Sequence, residues 1–572
     1  MLRSFFKRYW KQYLVGFALL MCSSWLTLLA PEILGDIVDA LSLGEIDPPA
    51  VYRLIGWMIA AAVGAFITKF SWRYFLIGSA RDMECLLRRQ LYEKFLRLPL
   101  SFYHDRKTGD LMAYAINDVN AIRMAFGPAM AQLLNGVFVA GVSIWRMVTF
   151  DCVPLVIATL APISCAVVVI VVLGGRIRAR FTKVQQTFSA ISDRMQESIT
   201  GIRVIKAFVQ EESEAERFAE LNRQMRDVNM AMIRLSALLT PLIQIFFGLS
   251  VALSLYIGSM EVRAGNLTLG DFVAFQGYVA AILAPVISIG RIINLYQRGI
   301  ASWARMTDIL ARDDAEAGAV LAPGEVKGGI RLTDLSFTYP GGKHPALSHV
   351  SVNIAPGEKL GVMGATGSGK STLAQLLLGL YPPPEGTVAF DGIPMEDWPY
   401  ATLRDAVGYV PQDDFLFSAS IADNLTVFGQ TQGDMAASAE AASIAKRIDT
   451  LPQGYDTMLG ERGVNLSCGQ RQRLAIARAL MRKPRILILD DAMSSVDTKT
   501  EEKILASLEE VQRDITAIVI AHRVSTLRGC DRIMVLDKGR VAELGTHEEL
   551  MAIDGIYAAQ YRQQTRERGE TA

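Results

Sequence analysis

Eight residues decide the fold of this chain: Gly364-Ala365-Thr366-Gly367-Ser368-Gly369-Lys370-Ser371. They fit the pattern Gly-x4-Gly-Lys-Ser/Thr, after an apolar run (359–363) and before a helical pattern (372–378). The glycines let backbone N–H groups surround phosphates at a helix N-terminus, where the helix dipole favours negative charge. We expect Lys370 to reach the β- and γ-phosphates of a nucleotide and the Ser371 hydroxyl to ligate Mg²⁺.

A second stretch supplies the acidic side of such a site. Four aliphatic residues (486–489) end in Asp490 and Asp491. Core strands rarely end in two adjacent charges unless a cation is near. We therefore expect Asp490 to hold Mg²⁺ through water, and Asp491 to occupy the position of a water-activating base.

Between these stretches lies Leu466-Ser467-Cys468-Gly469-Gln470, followed by a helical pattern through Leu480. This segment resembles the Leu-Ser-Gly-Gly-Gln signature of ATP-binding-cassette (ABC) ATPases, and the resemblance extends along residues 328–563. Gln412 in Val-Pro-Gln matches the family's Q-loop, residues 494–497 its D-loop, and His522 its switch histidine. Residues 457–463, including Gly460-Glu461-Arg462-Gly463, resemble the X-loop of exporters.

The resemblance implies ATP and Mg²⁺ as cofactors and assigns the site residue by residue. The catalytic positions are Asp491, His522 and Gln412, and the metal positions are Ser371, Gln412 and Asp490. The remaining nucleotide contacts are Tyr339 (stacked on adenine), Gly364, Thr366, Gly367, Ser368, Gly369, Lys370, Ser371, Thr372, Ser467, Gly469 and Gln470.

The rest of the chain has a different composition. A chain of 572 residues is too long for one hydrophobic core. Apolar residues make up 51% of the whole chain and its mean hydropathy is +0.26, but these averages combine a very apolar N-terminal half with a more polar C-terminal half. The 58 basic and 58 acidic residues cancel, so we expect no nucleic-acid partner. The six cysteines contain no Cys-x-x-Cys pair, which argues against a disulfide framework or a zinc site.

Six stretches are long and apolar enough to cross a lipid bilayer. They are Tyr13–Leu34, Leu54–Ile77, Pro128–Phe150, Val153–Gly175, Leu235–Ile257 and Phe272–Leu295. Arg73 in the second is expected to reach the cytoplasmic interface, whereas for Lys69 the interface and a wet interior stay open. The first run is too long for a cleaved signal peptide and lacks a clear cleavage site.

Basic residues set the orientation of these spans. Four of them lie within residues 3–11, in a segment whose pattern suggests an interfacial helix. The loop after the first span contains two acidic residues, Glu45 and Asp47, and no Lys or Arg. The N-terminus is therefore expected in the cytoplasm. The long connections 78–127 and 176–234 then also lie inside, as helical extensions that turn near residues 101–111 and 201–208.

This layout resembles that of ABC exporters, whose two cytoplasmic turns contact the ATPase domains as coupling helices. We predict an all-α six-helix transmembrane domain (1–312), a linker (313–327), an α/β P-loop ATPase domain (328–563) and a polar tail (564–572). The expected location is the inner (plasma) membrane, as a multi-pass protein with its ATPase domain in the cytoplasm.

Two residues depart from the family pattern. The family has Glu where this chain has Asp491, one methylene shorter, and Gly where it has Cys468, which we expect to be tolerated. Family members bind two ATPs between two ATPase domains, each held by the phosphate loop of one and the signature of the other. Asp491 resembles the degenerate-site half of bacterial heterodimeric multidrug exporters, so the expected partner is a non-identical half-transporter with Glu. A homodimer in which Asp is a slow base is the alternative.

The leading hypothesis is ATP-driven export of amphipathic drugs, lipids or similar compounds across the cytoplasmic membrane. Uptake of a metal–siderophore complex and an ATP-gated regulatory or channel protein are the alternatives. The intact Gln412, Lys370, Asp490 and His522 favour transport.

Overall fold

The computed structural model describes residues 2–42, 48–104, 106–315, 324–429, 433–460, 463, 465–511 and 515–567. The chain divides into two compact units. The first holds residues up to Leu96 and Thr108–Arg312, and the second holds Arg97–Lys107 and residues from Asp313 onward. The predicted acidic loop at 45 and 47 and the centre of the predicted linker lie outside the described residues.

The first unit is entirely helical among its described residues. Its helices, together with α3 of the second unit, are α1 Leu2–Ser42, α2 Pro48–Arg97, α3 Leu100–His104, α4 Thr108–Ala113, α5 Val119–Met124, α6 Met130–Val148, α7 Val153–Thr200, α8 Ile202–Ala207, α9 Glu211–Ala237, α10 Leu239–Ala264 and α11 Leu269–Ala311. Two π-helical segments, Tyr114–Asp118 and Ala125–Ala129, connect α4, α5 and α6 into one path.

Six of these helical paths are long and apolar enough to cross a membrane, as predicted. Their lengths of 36–54 residues exceed the roughly 20 that a bilayer requires. The excess carries the charged residues of the long connections, so the predicted helical extensions are confirmed. Short helices, α3 and α8, lie where the two turns were expected.

Close helix packing in this unit depends on small residues. A Cβ on Gly299 of α11 would lie 2.2 Å from the Cβ of Ala125. Nearby, the carboxylate of Asp118 accepts hydrogen bonds from Ser302 (2.8 Å) and from the guanidinium of Arg305 (2.5 Å). Asp118 is 9% exposed, and these bonds fix α11 against the π-helical segment that ends at Asp118.

The second unit is an α/β domain. Its strands are β1 Ile330–Phe337, β2 Leu347–Ile354, β3 Lys359–Gly364, β4 Val388–Phe390, β5 Ile393–Pro394, β6 Val407–Val410, β7 Ile486–Asp490, β8 Thr516–Ile520, β9 Arg532–Asp537 and β10 Arg540–Gly545. Its helices after α11 are α12 Lys370–Leu377, α13 Tyr400–Ala406, α14 Ile421–Thr426, α15 Met435–Ala441, α16 Ala445–Asp449, α17 Cys468–Met481, α18 Thr498–Val511, α19 Val524–Leu527, α20 His547–Ile553 and α21 Ile556–Glu567.

Two sheets organise this domain. The larger has the order β10-β9-β3-β8-β7-β6, in which only β10 is antiparallel to its neighbour. The smaller, β2-β1-β4-β5, is antiparallel. Strand β7 pairs on both sides within the larger sheet and all five of its residues are buried, which explains its unbroken aliphatic sequence. The C-terminal ends of β3, β6 and β7 therefore share one edge.

Candidate nucleotide-binding site

The loop between β3 and α12 has the geometry expected for phosphate binding. Gly369 caps α12 at φ +100°, and a Cβ there would lie 2.6 Å from the carbonyl oxygen of Ala346. Lys370 is 7% exposed, and its Nζ donates to the carbonyl oxygens of Gly364 (2.8 Å) and Ala365 (2.9 Å). Burial lowers the Lys370 pKa, while Asp490 and Asp491 oppose that shift.

One buried polar atom in this loop fits an anionic ligand. The Ser368 hydroxyl is buried and has no hydrogen-bond partner among the described residues. Burying a hydroxyl without a partner is unfavourable, and a phosphate oxygen would supply the missing acceptor. The loop thus offers a donor that the phosphate of a nucleotide would satisfy, and Thr366 and Gly367 belong to the same turn before α12.

The magnesium pair predicted from the sequence comes together in space. The Ser371 hydroxyl donates to Oδ1 of Asp490 over 3.2 Å, across 119 residues of chain. Burial raises the Asp490 pKa, and the Ser371 hydrogen bond and Lys370 counteract it. A hydroxyl beside a carboxylate is a donor set that suits Mg²⁺, so these two residues would hold the ion, which neutralises phosphate charge when bound.

Asp491 and His522 line one cavity of about 90 Å³ beyond the end of β7. The main chain at Asp491 is left-handed (φ +52°), and its N–H donates to the Ile520 carbonyl over 2.9 Å. Gln412 follows β6 by two residues at the same sheet edge and is exposed. The structure gives Gln412 no hydrogen bond to Ser371 or Asp490.

Tyr339 lies next to α12 and is partly buried. Its hydroxyl bonds to Oγ1 of Thr372 (2.9 Å) and Oε1 of Gln375 (3.0 Å). The ring of His104, from α3, stacks against it with centroids 6.5 Å apart, and His104 Nδ1 lies 3.1 Å from the Tyr381 hydroxyl. The predicted adenine-stacking residue is therefore connected to the phosphate-loop helix on one side and to α3 on the other.

The signature segment forms the start of α17. Ser467 is its N-cap, with a capping box in which Ser467 Oγ accepts from Gln470 N–H (3.3 Å) and Gln470 Oε1 accepts from Ser467 N–H (3.0 Å). Cys468 is exposed. A Cβ on Gly469 would lie 2.7 Å from the Ser495 carbonyl oxygen, so glycine is needed for α17 to approach the D-loop.

Sequence reasoning missed the residues that hold the D-loop. Gln472 is 2% exposed, and its amide bonds the Ser494 hydroxyl (3.0 Å) and the Ser495 N–H (2.9 Å). Glutamine in a helix that follows a cap carries no signal for this role. Only the fold brings it to residues 22 and 23 positions away.

A buried carboxylate holds the segment after His522, and Arg523 of that segment connects it to the D-loop. Glu501 is 2% exposed and bonds Arg523 (3.1 Å) and the hydroxyl of Thr526. Arg523 also donates to the carbonyl oxygens of Ser494 and Val496. Arg523 directly follows His522 in sequence, and this adjacency is the sequence feature that could have indicated its role near the site. Of the expected X-loop, residues 461 and 462 lie outside the described part of the chain.

Comparison with known proteins gives a consistent result. The profile described as ABC transporter transmembrane region matches residues 13–286, and the profile described as ABC transporter matches residues 347–494. The chain is 36% identical over 564 residues to the probable multidrug resistance ABC transporter ATP-binding/permease protein YheI of Bacillus subtilis, covering 98% of this chain and 96% of that one.

Two further similarities extend this result. The ATP-dependent lipid A-core flippase of Dechloromonas aromatica is 32% identical, over 99% of this chain and 97% of its own length. A solved structure of a bacterial Atm1-family ABC exporter with ATP bound superposes with a TM-score of 0.80 at 27% identity, covering 97% of this chain and 98% of that one.

Proposed function

This chain belongs to the ABC transporter family as a multi-pass, ATP-driven exporter, and we propose that it works with a non-identical half-transporter that carries Glu at the base position. In this proposal the site built on Lys370 binds ATP but hydrolyses it slowly. The signature at Ser467 and Gly469 completes the partner's site. The assignment of Asp491, His522, Gln412, Tyr339 and the signature residues to these roles is part of the proposal.

The observation that supports the slow site is the fixed main chain at Asp491. Its N–H is bonded to Ile520, and its carbonyl oxygen accepts from Ser494 N–H at 3.3 Å. Aspartate is one methylene shorter than glutamate, a deficit of about 1.5 Å. A general base must lie within about 2.6–3.2 Å of the proton it removes, and a misplacement of about 1 Å costs on the order of 10²-fold in rate. With the main chain bonded on both sides, the backbone is not free to make up the difference.

Each residue of the chain's own site then has a defined task. Lys370 places a positive charge in the phosphate loop, and Ser371 and Asp490 would hold Mg²⁺. His522 lines the same cavity as Asp491, where it can orient the γ-phosphate end of the nucleotide. In the proposed dimer, Ser467 offers its O–H to the partner's nucleotide, because its oxygen already accepts from Gln470.

We propose an amphipathic substrate. The names of similar proteins mention multidrug resistance in one case and lipid A-core in another, and both substrate classes combine apolar and polar parts. The apolar spans of this chain with few fixed charges suit such compounds.

The test compares hydrolysis in the chain alone and in the pair. The isolated chain should release phosphate slowly, and the pair assembled with its Glu-bearing partner should be fast. Asp491→Asn should leave the pair with at least about half its rate. Gly469→Asp should abolish nearly all of it, because the added side chain meets Ser495 and places a carboxylate beside the partner's phosphate.

Asp491→Glu is the matched gain-of-function variant. If the carboxylate is too short by one methylene, glutamate should raise hydrolysis at this site by on the order of 10²-fold. Brisk hydrolysis by a homodimer of this chain, abolished by Asp491→Asn, would instead make Asp491 a working base and overturn the heterodimer proposal.

A further inference from the structure

A polar cavity of about 300 Å³ lies inside the membrane unit, between α1, α2 and α6. Its lining includes two cations, Lys69 and Arg73, with the amides of Gln132 and Asn135 and several hydroxyl groups. Its lining contains no carboxylate. Such a volume is at the lower end of the range for small-molecule sites, which is about 300–1,000 Å³.

The depth of Lys69 makes its charge costly. If the second span starts at Leu54, a rise of 1.5 Å per residue places Lys69 about 22 Å and Arg73 about 28 Å along a hydrocarbon core of about 30 Å. Both cations then lie in the cytoplasmic half of the bilayer, with Lys69 inside the apolar layer. A cation at that depth is unfavourable unless it faces a wet or charged environment.

The described residues give these cations no countercharge. Lys69 has neither an ion pair nor a hydrogen bond among them, and Arg73 lies over the Trp72 ring at 5.6 Å from its centroid. A third cation, Arg291 of α11, donates to Oε1 of Gln132 at 3.2 Å. The cavity therefore collects positive charge that the described part of the chain leaves uncompensated. Arg73 lines this cavity, and the expectation that it reaches the cytoplasmic interface stays a prediction.

The remaining lining is ordered and can donate hydrogen bonds. Ser24 is buried, and its hydroxyl has two acceptors within reach, Oδ1 of Asn135 (2.6 Å) and the Leu20 carbonyl oxygen (2.9 Å). Because Oδ1 of Asn135 faces this hydroxyl, the amide hydrogens of Asn135 point away from it. Trp72 carries an indole N–H in the same lining. Next to the cavity, α2 carries large apolar side chains that are exposed, including Phe66 (71% exposed) and Phe70 (69% exposed). A polar, cationic pocket thus adjoins an apolar helix face.

We propose that this cavity binds the anionic headgroup of an amphiphile, a phosphate or a similarly charged group, with its apolar tail along α2. Charge-assisted hydrogen bonds from Lys69 and Arg73 would hold the headgroup, and the amides and Trp72 would complete its coordination. This inference rests on the proposed export function, because it names the class of compound that enters from the cytoplasmic leaflet. Neutral amphiphiles of the same tail length bind here far more weakly.

The experiment measures binding of labelled decyl phosphate to the full chain in phosphatidylcholine nanodiscs, corrected with protein-free nanodiscs. The double variant Lys69→Gln/Arg73→Gln should bind at least about tenfold more weakly, since each lost charge-assisted bond weakens binding by about that factor. The control Arg53→Gln removes an exposed cation near the other end of α2 and should bind like the wild type. The swap Lys69→Arg/Arg73→Lys keeps both charges and should retain binding.

Competitors separate an amphiphile from a free anion. Decanol and inorganic phosphate should each displace decyl phosphate at least about tenfold less well than unlabelled decyl phosphate does. Equal binding by the wild type and the charge-free double variant, or equal competition by inorganic phosphate, would overturn the proposal. A fluorescent ATP analogue should bind all variants equally, which shows that their ATPase domains are folded, and retained binding by the charge-conserving swap shows that the membrane unit is folded.

The assay uses neither the partner nor ATP turnover, so its result is independent of the heterodimer test. If the hydrolysis experiments contradict the heterodimer proposal, the conclusion from decyl phosphate binding still holds. A failure of decyl phosphate binding would leave the assignment of Asp491 and the signature intact.

Discussion

Ser467 has two tasks that one substitution can separate. In the structure its side-chain oxygen caps α17, and in the proposed dimer its O–H faces the partner's γ-phosphate. Loss of an N-cap costs about 1 kcal/mol of stability, whereas loss of one hydrogen-bond donor to the transition state costs on the order of 10²–10³ in rate. Aspartate caps a helix as well as serine does, yet it places negative charge where the phosphate lies.

Ser467→Asp should therefore keep the thermal midpoint of the ATPase domain unchanged and lower phosphate release by the assembled transporter at least about 10²-fold. Ser467→Ala should lower both, with a midpoint shift of about 2–4 °C for about 1 kcal/mol. The measurements are a thermal melt of the purified chain and a phosphate-release assay of the pair.

Thr546 provides the matched control. It forms the same capping box at the start of α20, with Glu549 N–H bonded at 3.2 Å, and lies outside the proposed site. Thr546→Ala should reduce stability as Ser467→Ala does and leave the rate per folded molecule unchanged. Wild-type hydrolysis by Ser467→Asp, or an equal loss of rate in Thr546→Ala, would refute the separation of capping from phosphate contact.

Three further outcomes are expected. Lys370→Ala should weaken ATP binding at this chain's own site at least about tenfold, because it removes a buried charge from the phosphate loop; unchanged binding of a photoreactive ATP analogue would reject the assignment. Burial raises the pKa of Asp414 to about 6, so ionisation of this carboxyl lowers the stability of the fold as pH rises through about 6. Asp414→Asn should therefore raise the thermal midpoint at pH 8 but not at pH 4. An equal gain at both pH values, or the same gain from Asp413→Asn at the exposed neighbouring position, would contradict this. In a cysteine-free background, a cysteine at 205 should be protected from an impermeant thiol reagent in intact cells and one at 45 labelled, whereas surface labelling at 205 or 105 would refute the predicted orientation.

The sequence predicted most of the fold because its signals are local. Runs of apolar residues marked the six described helices that can cross a membrane. Strands β3 and β7 and helix α17 lie where an apolar run, an aliphatic run and a helical pattern placed them. The phosphate loop and the two acids were also found from short patterns, since Ser371 and Asp490 need only a known strand order to meet. The predicted domain boundaries, which placed residues 97–107 in the first domain, stay a prediction, although contacts group those residues with the ATPase unit.

Other parts of the site depend on distant contacts that no local pattern encodes. Gln472 holds the D-loop, and Glu501 is buried against Arg523, yet each is an ordinary polar residue in a helix by sequence alone. The Tyr339–His104 contact joins residues that are far apart in the chain.

By itself, the sequence determined that the described part of the chain has six helices able to cross a membrane, followed by an ATPase domain. The reason is that apolar runs and glycine placement act within a few turns or strands. Only the tertiary structure decided whether the charge of Lys69 faces the interface or a cavity, since that depends on how α1, α2 and α6 pack. It also decided that the main chain at Asp491 is bonded on both sides, because those bonds come from β8 and the D-loop. Helix packing and strand pairing bring together residues far apart in the chain, and those long-range contacts set the surroundings of each charge.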